Sequence, residues 1–384
     1  LHKLTTITSK LPDVGTTIFT VMSAMAAEQG AVNLSQGFPD FAVSESLADK
    51  VNQHMRAGHN QYAPMQGLPA LREQIAAKAE RIYHRKLDPG AEITVTSGAT
   101  EAIYASLAAI LHPGDEVIVL EPAFDCYIPA VRLNGGKVVS VPLDPTDFSV
   151  DWQQVKENIT SRTRVIMINT PHNPTGSILQ RADLEALAGL TRDTNILVLS
   201  DEVYEHMVYD GQIHHSVLTH DELYDRSIAV FSFGKTFHAT GWKVGYIVAP
   251  ALLTEEIRKV HQFIQFSVHA PTQFALAEYM QEGPDYEGLS RFYQAKRDLF
   301  LSLTEGSPLR PVKSSGTYFQ LFSYAGYSDM PDRELAEKLT IEKKVASIPI
   351  SVFYQDKTDN HYLRFCFAKN DDTLAEGAKI IRGL

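Results

Sequence analysis

Lys235 stands in the segment SFGKTFHATGWKVG (232–245), directly after the apolar run IAVFSF. An amine that leaves a strand end among small residues suits a bound group better than open solvent. Such an amine can form an imine with an aldehyde and can then carry a proton. Ser232 and Lys243 flank it with the hydroxyl and the cation that a phosphate requires. A lone loop lysine is ordinarily a surface residue. Other segments of the chain change that reading.

Three segments upstream, TSGATEAIYASLAAIL (96–111), VIMINTPHNPTG (165–176) and NILVLSDEVYEH (195–206), share one pattern. Each is an apolar, β-branched run that ends in polar or glycine-rich residues. Buried parallel strands with functional groups at their carboxyl ends read this way. SGAT joins a strand to a helix, so the amides of Ala99 and Thr100 at the helix start form an anion site that Gly98 lets a ligand approach. Asp201 ends the run ILVLS, either as a buried carboxylate facing a ligand or as a helix cap. Glu202 is the alternative acid. NTPHNPTG carries strong turn signals, and such a turn aims Asn173 inward. Arg364, between Leu363 and Phe365, is costly to bury without an anion; otherwise it points out from an edge strand.

Together these pieces resemble the class I/II aminotransferases, the fold-type I enzymes that use pyridoxal 5′-phosphate. The resemblance runs from SQGFPD near position 35 to RFCFAK near 364. SQGFPD, NQYAPMQG, NTPHNPTG, SDEVYEH, SFGKTFH and GWKVGY look most like the methionine and kynurenine aminotransferase branch. The resemblance implies that Lys235 is the Schiff-base residue and proton carrier, and that Asp201 faces the pyridine nitrogen. It implies that Asn173 and Tyr204 donate to the 3-oxygen of the cofactor. Gly98, Ala99, Thr100, Ser232 and Lys243 would hold the phosphate, joined by Tyr62 from a partner subunit. Lys243 stands where arginine is commoner, and a lysine offers a point charge rather than a planar fork. Phe124, in EPAFDCY, would stack on the ring. Arg364, with Gly37 and Asn173, would hold the substrate α-carboxylate. For Tyr62 an interface or core aromatic is the competing reading, and for Phe124 plain core.

The implied activity moves the amino group of methionine, an aromatic or a similar amino acid to a 2-oxo acid through a pyridoxamine intermediate. A carbon–sulfur β-lyase on the same scaffold is the alternative, since it would share Lys235, Asp201 and Arg364. No second arginine stands out to seat a side-chain carboxylate. Tyr104 and the segment GTTIFTVMSAMA (15–26) could wall an apolar side-chain pocket, although a helix packing into the core shows the same pattern.

The elements that must position these residues follow from the rest of the chain. EITVTS, DEVIVLEP, KVVSVPLD, RVIMINT, NILVLSD, SIAVFSF and GYIVAP alternate with helical stretches, which predicts an α/β fold with a mainly parallel sheet flanked by helices. Past about 275 come the amphipathic stretch LSRFYQAKRDLFLSLTEG and shorter strands at GTYFQLF, VASIPIS and HYLRFCFA, a smaller α+β domain. The expected division is a large domain over 31–274 and a small one built from 1–30 and 275–384. A chain of 384 residues accommodates both. The net charge of −11 argues against a nucleic-acid partner or a DNA-binding regulator. No run approaches the roughly 18 apolar residues of a membrane helix. The amino-terminal LHKLTTITSKLP has no apolar core, so no signal peptide is expected. The two cysteines, Cys126 and Cys366, have neither scaffold numbers nor metal-ligand spacing, which makes a reducing cytoplasm the default. The expected partners are an amino acid, a 2-oxo acid and a second copy of the chain sharing the site.

Overall fold

The computed structural model describes residues 7–384; the first half of LHKLTTITSKLP, read above for an export signal, lies outside them. Seven strands form the main sheet, in the spatial order Ile93–Thr96, Gly245–Val248, Ser227–Ser232, Leu197–Asp201, Thr163–Asn169, Glu116–Glu121 and Lys137–Pro142. Only Gly245–Val248 runs against the others. The inner strands are buried along nearly their whole length, which is why they read as unbroken apolar runs rather than alternating ones. Ile228, Val230, Val198 and Leu199 are fully enclosed, and each such side chain contributes about 1.5–3 kcal/mol of burial.

The parallel arrangement puts Ser97, Pro122, Thr170, Glu202 and Phe233, the residues that follow five of the strands, at one edge of the sheet. Side chains hold that edge in register. Asn169 donates to the carbonyl of Asp201 at 2.8 Å and accepts from the amide of Asn173 at 2.8 Å. The bonds Glu121–Pro122, Thr170–Pro171 and Asn173–Pro174 are cis. Helices Gly98–Ile110, Arg181–Thr191 and Ala251–Ile264 cover the sheet.

A second sheet of four antiparallel strands has the order Ile348–Pro349, Tyr362–Cys366, Phe319–Ser323 and Arg310–Pro311. Arg364 lies on its central strand, between Leu321 and Ile348. The long helix Tyr286–Leu303 begins where Asp285 accepts from the amide of Gly288 at 2.7 Å. Near the amino terminus, Thr17 caps helix Ile18–Gln29, and Gly30 ends it in the left-handed conformation. The chain then pairs Val32–Asn33 in parallel with Val345–Ala346, which delivers Ser35–Phe38 to the carboxyl edge of the main sheet. Among the described residues no helix is long and apolar enough to cross a membrane.

Candidate active site

A cleft of about 410 Å³ opens over that edge, where the segment 35–38, the strand ends and the second sheet meet. Gly37, Gly98, Ala99, Thr100, Phe124, Asn173, Asp201, Tyr204, Ser232, Lys235, Lys243 and Arg364 all line it. Two expected residues do not. Tyr104 packs on the apolar layer behind its helix, and Ile103 takes the cleft position, because one helical step turns the next side chain away. Tyr62 is 82% exposed and rests edge-on against Phe266, outside the cleft of its own chain. Of GTTIFTVMSAMA, Thr17 and Phe19 reach the cleft, while Met22 and Ala26 point into the core.

At the anion end, helix Gly98–Ile110 presents its first amides. The amide of Ser97 just before it is held by the Glu101 carboxylate at 3.0 Å. Gly98 has φ +75°, and a Cβ there would come within 3.2 Å of the Lys243 Nζ. Only glycine meets both demands. At the floor, Asp201 is buried and accepts from the Tyr127 hydroxyl at 2.6 Å and from the amide of Val203. Burial lifts its carboxyl to about 6, against the pull of those two donors and of Lys235.

Lys235 donates to the Tyr318 hydroxyl at 2.7 Å and to the carbonyl of Gly37 at 3.3 Å. Tyr318 in turn donates to the same carbonyl at 2.6 Å. Burial lowers the amine to about 8, and Arg364 and Lys243 press the same way. Tyr204 lies beneath, its ring centre 5.5 Å from the Lys235 Nζ. Its hydroxyl is pushed up, chiefly by burial.

Arg364 is 1% exposed and stacks on Phe319 with its guanidinium 3.8 Å from the ring centre. It donates to Asn173 Oδ1 at 2.7 Å and to the carbonyl of Ser35 at 3.4 Å, and its Nε has no partner. Burial brings it down to about 10. A Cβ at Gly37 would press on Phe319 at 2.8 Å, so a side chain there would displace the ring that supports the arginine.

The charges of this cleft are unsatisfied in a specific way. Among the described residues, Lys235, Lys243 and Arg364 bond to no carboxylate and Asp201 bonds to no cation. Burying such groups unpaired is costly. A ligand with a phosphate, a protonated ring nitrogen and a carboxylate close by would satisfy Lys243, Asp201 and Arg364 together, so the residues fit pyridoxal 5′-phosphate with an amino-acid substrate. Tyr127, Tyr318 and Asn169 belong to this arrangement and were not singled out in the sequence. Tyr127 lies within the quoted EPAFDCY, but no motif marks Tyr318.

The fold and the cleft define an enzyme of pyridoxal phosphate chemistry, and the comparisons with known proteins agree. The family Aminotransferase class I and II matches residues 29–381, and the chain belongs to this family of pyridoxal-phosphate-dependent transaminases. It is 48% identical to the methionine aminotransferase of Escherichia coli, over 98% of each chain. A crystal structure of an E. coli protein with methionine aminotransferase function superposes with TM-score 0.97, covering 99% of this chain and 100% of that one. A probable N-succinyldiaminopimelate aminotransferase of Mycobacterium tuberculosis is 38% identical over 97% of this chain and 96% of its own. Human kynurenine–oxoglutarate transaminase 1 is 33% identical over 91% of each.

Proposed function

We propose that this transaminase takes its amino group from methionine, with aromatic and similar uncharged amino acids as further donors, and delivers it to a 2-oxo acid. One observation carries the reading: among the described residues of the chain, Arg364 is the only arginine lining the cleft, and Phe19, Phe38 and Thr17 line it too. The 48% identity to a methionine aminotransferase supports it. When bound, pyridoxal 5′-phosphate supplies an aldehyde that accepts and releases the amino group and a ring that withdraws electrons from the substrate α-carbon.

The chain's own residues do the rest. The amides of Ala99 and Thr100, the Ser232 hydroxyl and the Lys243 ammonium bind the phosphate. Asp201 holds a proton at the ring nitrogen, and Phe124 packs against the ring. Asn173 and Tyr204 orient the ring through its 3-oxygen. Arg364, steadied by Asn173 and Phe319, binds the α-carboxylate with help from the Gly37 amide. Lys235 would take up and return the proton at the substrate α-carbon. An amine near 8 is suited to this, because it gives and takes a proton close to neutral pH.

In this proposal the large domain over 31–274 carries the cofactor, and the amino-terminal arm joins residues 275–384, the small domain that brings Arg364. The working unit is a homodimer in the cytoplasm. The exposed pair Tyr62 and Phe266 forms part of the contact, and Tyr62 serves the partner's phosphate. No residue of the cleft favours the carbon–sulfur lyase alternative, and the relatives named above are transaminases.

The test is the visible spectrum of the cofactor-loaded protein during anaerobic addition of methionine, then of a 2-oxo acid. Conversion to the amine form of the cofactor, reversed by the oxo acid, is expected. A persistent aldehyde-form spectrum with release of ammonia and a thiol would replace the reading with the lyase.

A further inference from the structure

Tyr318 bridges Lys235 and Gly37, two residues of the proposed chemistry, and its side chain is fully buried. The single hydrogen of its hydroxyl goes to the carbonyl of Gly37 at 2.6 Å, so its lone pairs are left for the Lys235 amine at 2.7 Å. Lys235 donates to the same carbonyl at 3.3 Å, which closes a triangle. Three rings wedge the phenol in place: those of Tyr204, Tyr293 and Phe319 have centroids 4.9–5.7 Å from its own.

The backbone that delivers this phenol is strained. Thr317 has φ +64°, a region that a β-branched residue rarely enters, and it is fully buried there. A residue keeps such a conformation only where its surroundings over-determine it. Here the Tyr209 hydroxyl donates to the Thr317 carbonyl, and the Thr317 amide donates to the carbonyl of Met207 at 3.0 Å. The two residues that follow are Tyr318, on the Lys235 amine, and Phe319, against the Arg364 guanidinium. Strain of this kind collects at working sites.

A lysine amine at the end of a flexible four-carbon stem needs a fixed berth if it is to take a proton from one atom. As the α-proton leaves, its C–H bond breaks, the proton bonds to the Nζ lone pair and the electron pair is drawn into the bound ring. The amine becomes an ammonium, and Arg364 and Lys243 both oppose the new charge. The Tyr318 oxygen and the Gly37 carbonyl are acceptors aimed at that ammonium. Neutral acceptors steady it, yet they let the proton return more readily than a bonded carboxylate does.

We propose that Tyr318 is a positioning residue for the proton transfer: its hydroxyl and the Gly37 carbonyl form the berth of the Lys235 amine whenever that amine is free. The inference rests on the transaminase reading of the same cleft and adds to it the residue that aims its central amine.

The experiment compares Tyr318→Phe, which keeps the ring packing, with wild type in two ways. In the cofactor-loaded protein, single turnover of methionine bearing hydrogen or deuterium at the α-carbon reads the proton-transfer step. At saturating methionine the variant reacts about tenfold more slowly, with an apparent affinity within about threefold of wild type. Its isotope effect is at least as large as that of wild type. An unchanged rate, a loss confined to affinity or a diminished isotope effect overturns the proposal, because a merely structural residue gives one of these. The second readout needs no cofactor. Amine-selective labelling of the full chain follows the Lys235 midpoint with pH, and Tyr318→Phe lowers it by about 0.5–1 unit. A midpoint that stays or rises overturns the proposal. If wild type fails to react with methionine, the proposed function falls, and the Lys235 midpoint still decides whether Tyr318 holds the amine.

Discussion

Two lysines are drawn into the interior of this protein, and their surroundings differ in kind. Lys78, on the helix Pro69–Tyr83, is 5% exposed and ion-paired with Glu205, with the Tyr246 hydroxyl at 2.8 Å and the rings of Phe231 and Tyr246 around it. Glu205 also accepts from Tyr83. Lys235 has a hydroxyl and a backbone carbonyl for company and no bonded carboxylate. Burial lowers both amines; Glu205 opposes it at Lys78 through a direct ion pair, whereas at Lys235, Cys366 and Asp201 oppose it only through space and Arg364 and Lys243 add to it. The first lysine is a strut with its charge neutralised on the spot. The second has no such partner among the described residues, which suits the reactive role proposed for it. Cavity size does not make this distinction. A space of about 870 Å³ adjoins Glu205, twice the volume of the cleft that holds the unpaired charges.

The largest expected effect belongs to the reactive lysine. Lys235→Ala loses amino transfer by about 10⁴-fold or more, with an unchanged circular dichroism spectrum. Turnover within tenfold of wild type would remove Lys235 from the mechanism. Lys78→Ala inverts the pattern: stability falls by about 3–5 kcal/mol in urea titration, because Glu205 is left buried and unpaired. The surviving folded protein still binds cofactor. If instead cofactor affinity collapses while stability holds, the two lysines are not different in kind.

Asp201→Asn removes the charge at the cleft floor. A charge-assisted hydrogen bond is worth about 1.5–3 kcal/mol, so the rate of the proton-transfer step drops by about 10–150-fold. A smaller loss than Lys235→Ala is the essential outcome. The gentlest probe is the titration of Lys235 in the cofactor-free protein. Its folded value of about 8 lies below the ordinary 10.5, so the folded chain gives up this proton before the unfolded chain does. The cost of burying the ammonium is therefore full below 8 and is relieved as pH rises towards 10.5, and stability rises over that window. Amine-selective labelling of Lys235 should reach its plateau near pH 9, while exposed lysines still gain. Tyr318→Phe deletes an acceptor of the ammonium and should move the Lys235 midpoint down by about a unit or less. An upward move would mean that the hydroxyl does not accept from the charged amine.

The parts of the site that the sequence discloses are those tied to strand ends. Asp201, Asn173, Ser232 and Lys235 each follow an apolar run buried on both faces, and the run announces where the functional edge begins. The residues that tune them arrive from elsewhere in the chain. Tyr127 reaches Asp201 across 74 positions and Tyr318 reaches Lys235 across 83. Local pattern carries no trace of either contact. The Lys78–Glu205 pair, 127 positions apart, is hidden in the same way. Tyr104 shows a different limit: helix phase over a few residues decides which neighbour faces the cleft, and Ile103 has it. The expected strands of the smaller sheet do form, but shorter than their apolar runs. VASIPIS divides between two sheets, because Val345–Ala346 pairs with the amino-terminal segment and Ile348–Pro349 with the strand of Arg364.

The order in which the cleft is synthesised follows from the position of that last arginine. Every cofactor-facing residue from Gly98 to Lys243 has been made when Arg364 is still about 120 residues from being added. At roughly 5–20 residues per second, that interval lasts roughly 6–24 s on the ribosome. Throughout it the nascent chain carries the lysine and the loop proposed to act on the cofactor, without the arginine proposed to grip a substrate carboxylate. On the proposed reading, the grip on substrate is the last property this polypeptide acquires.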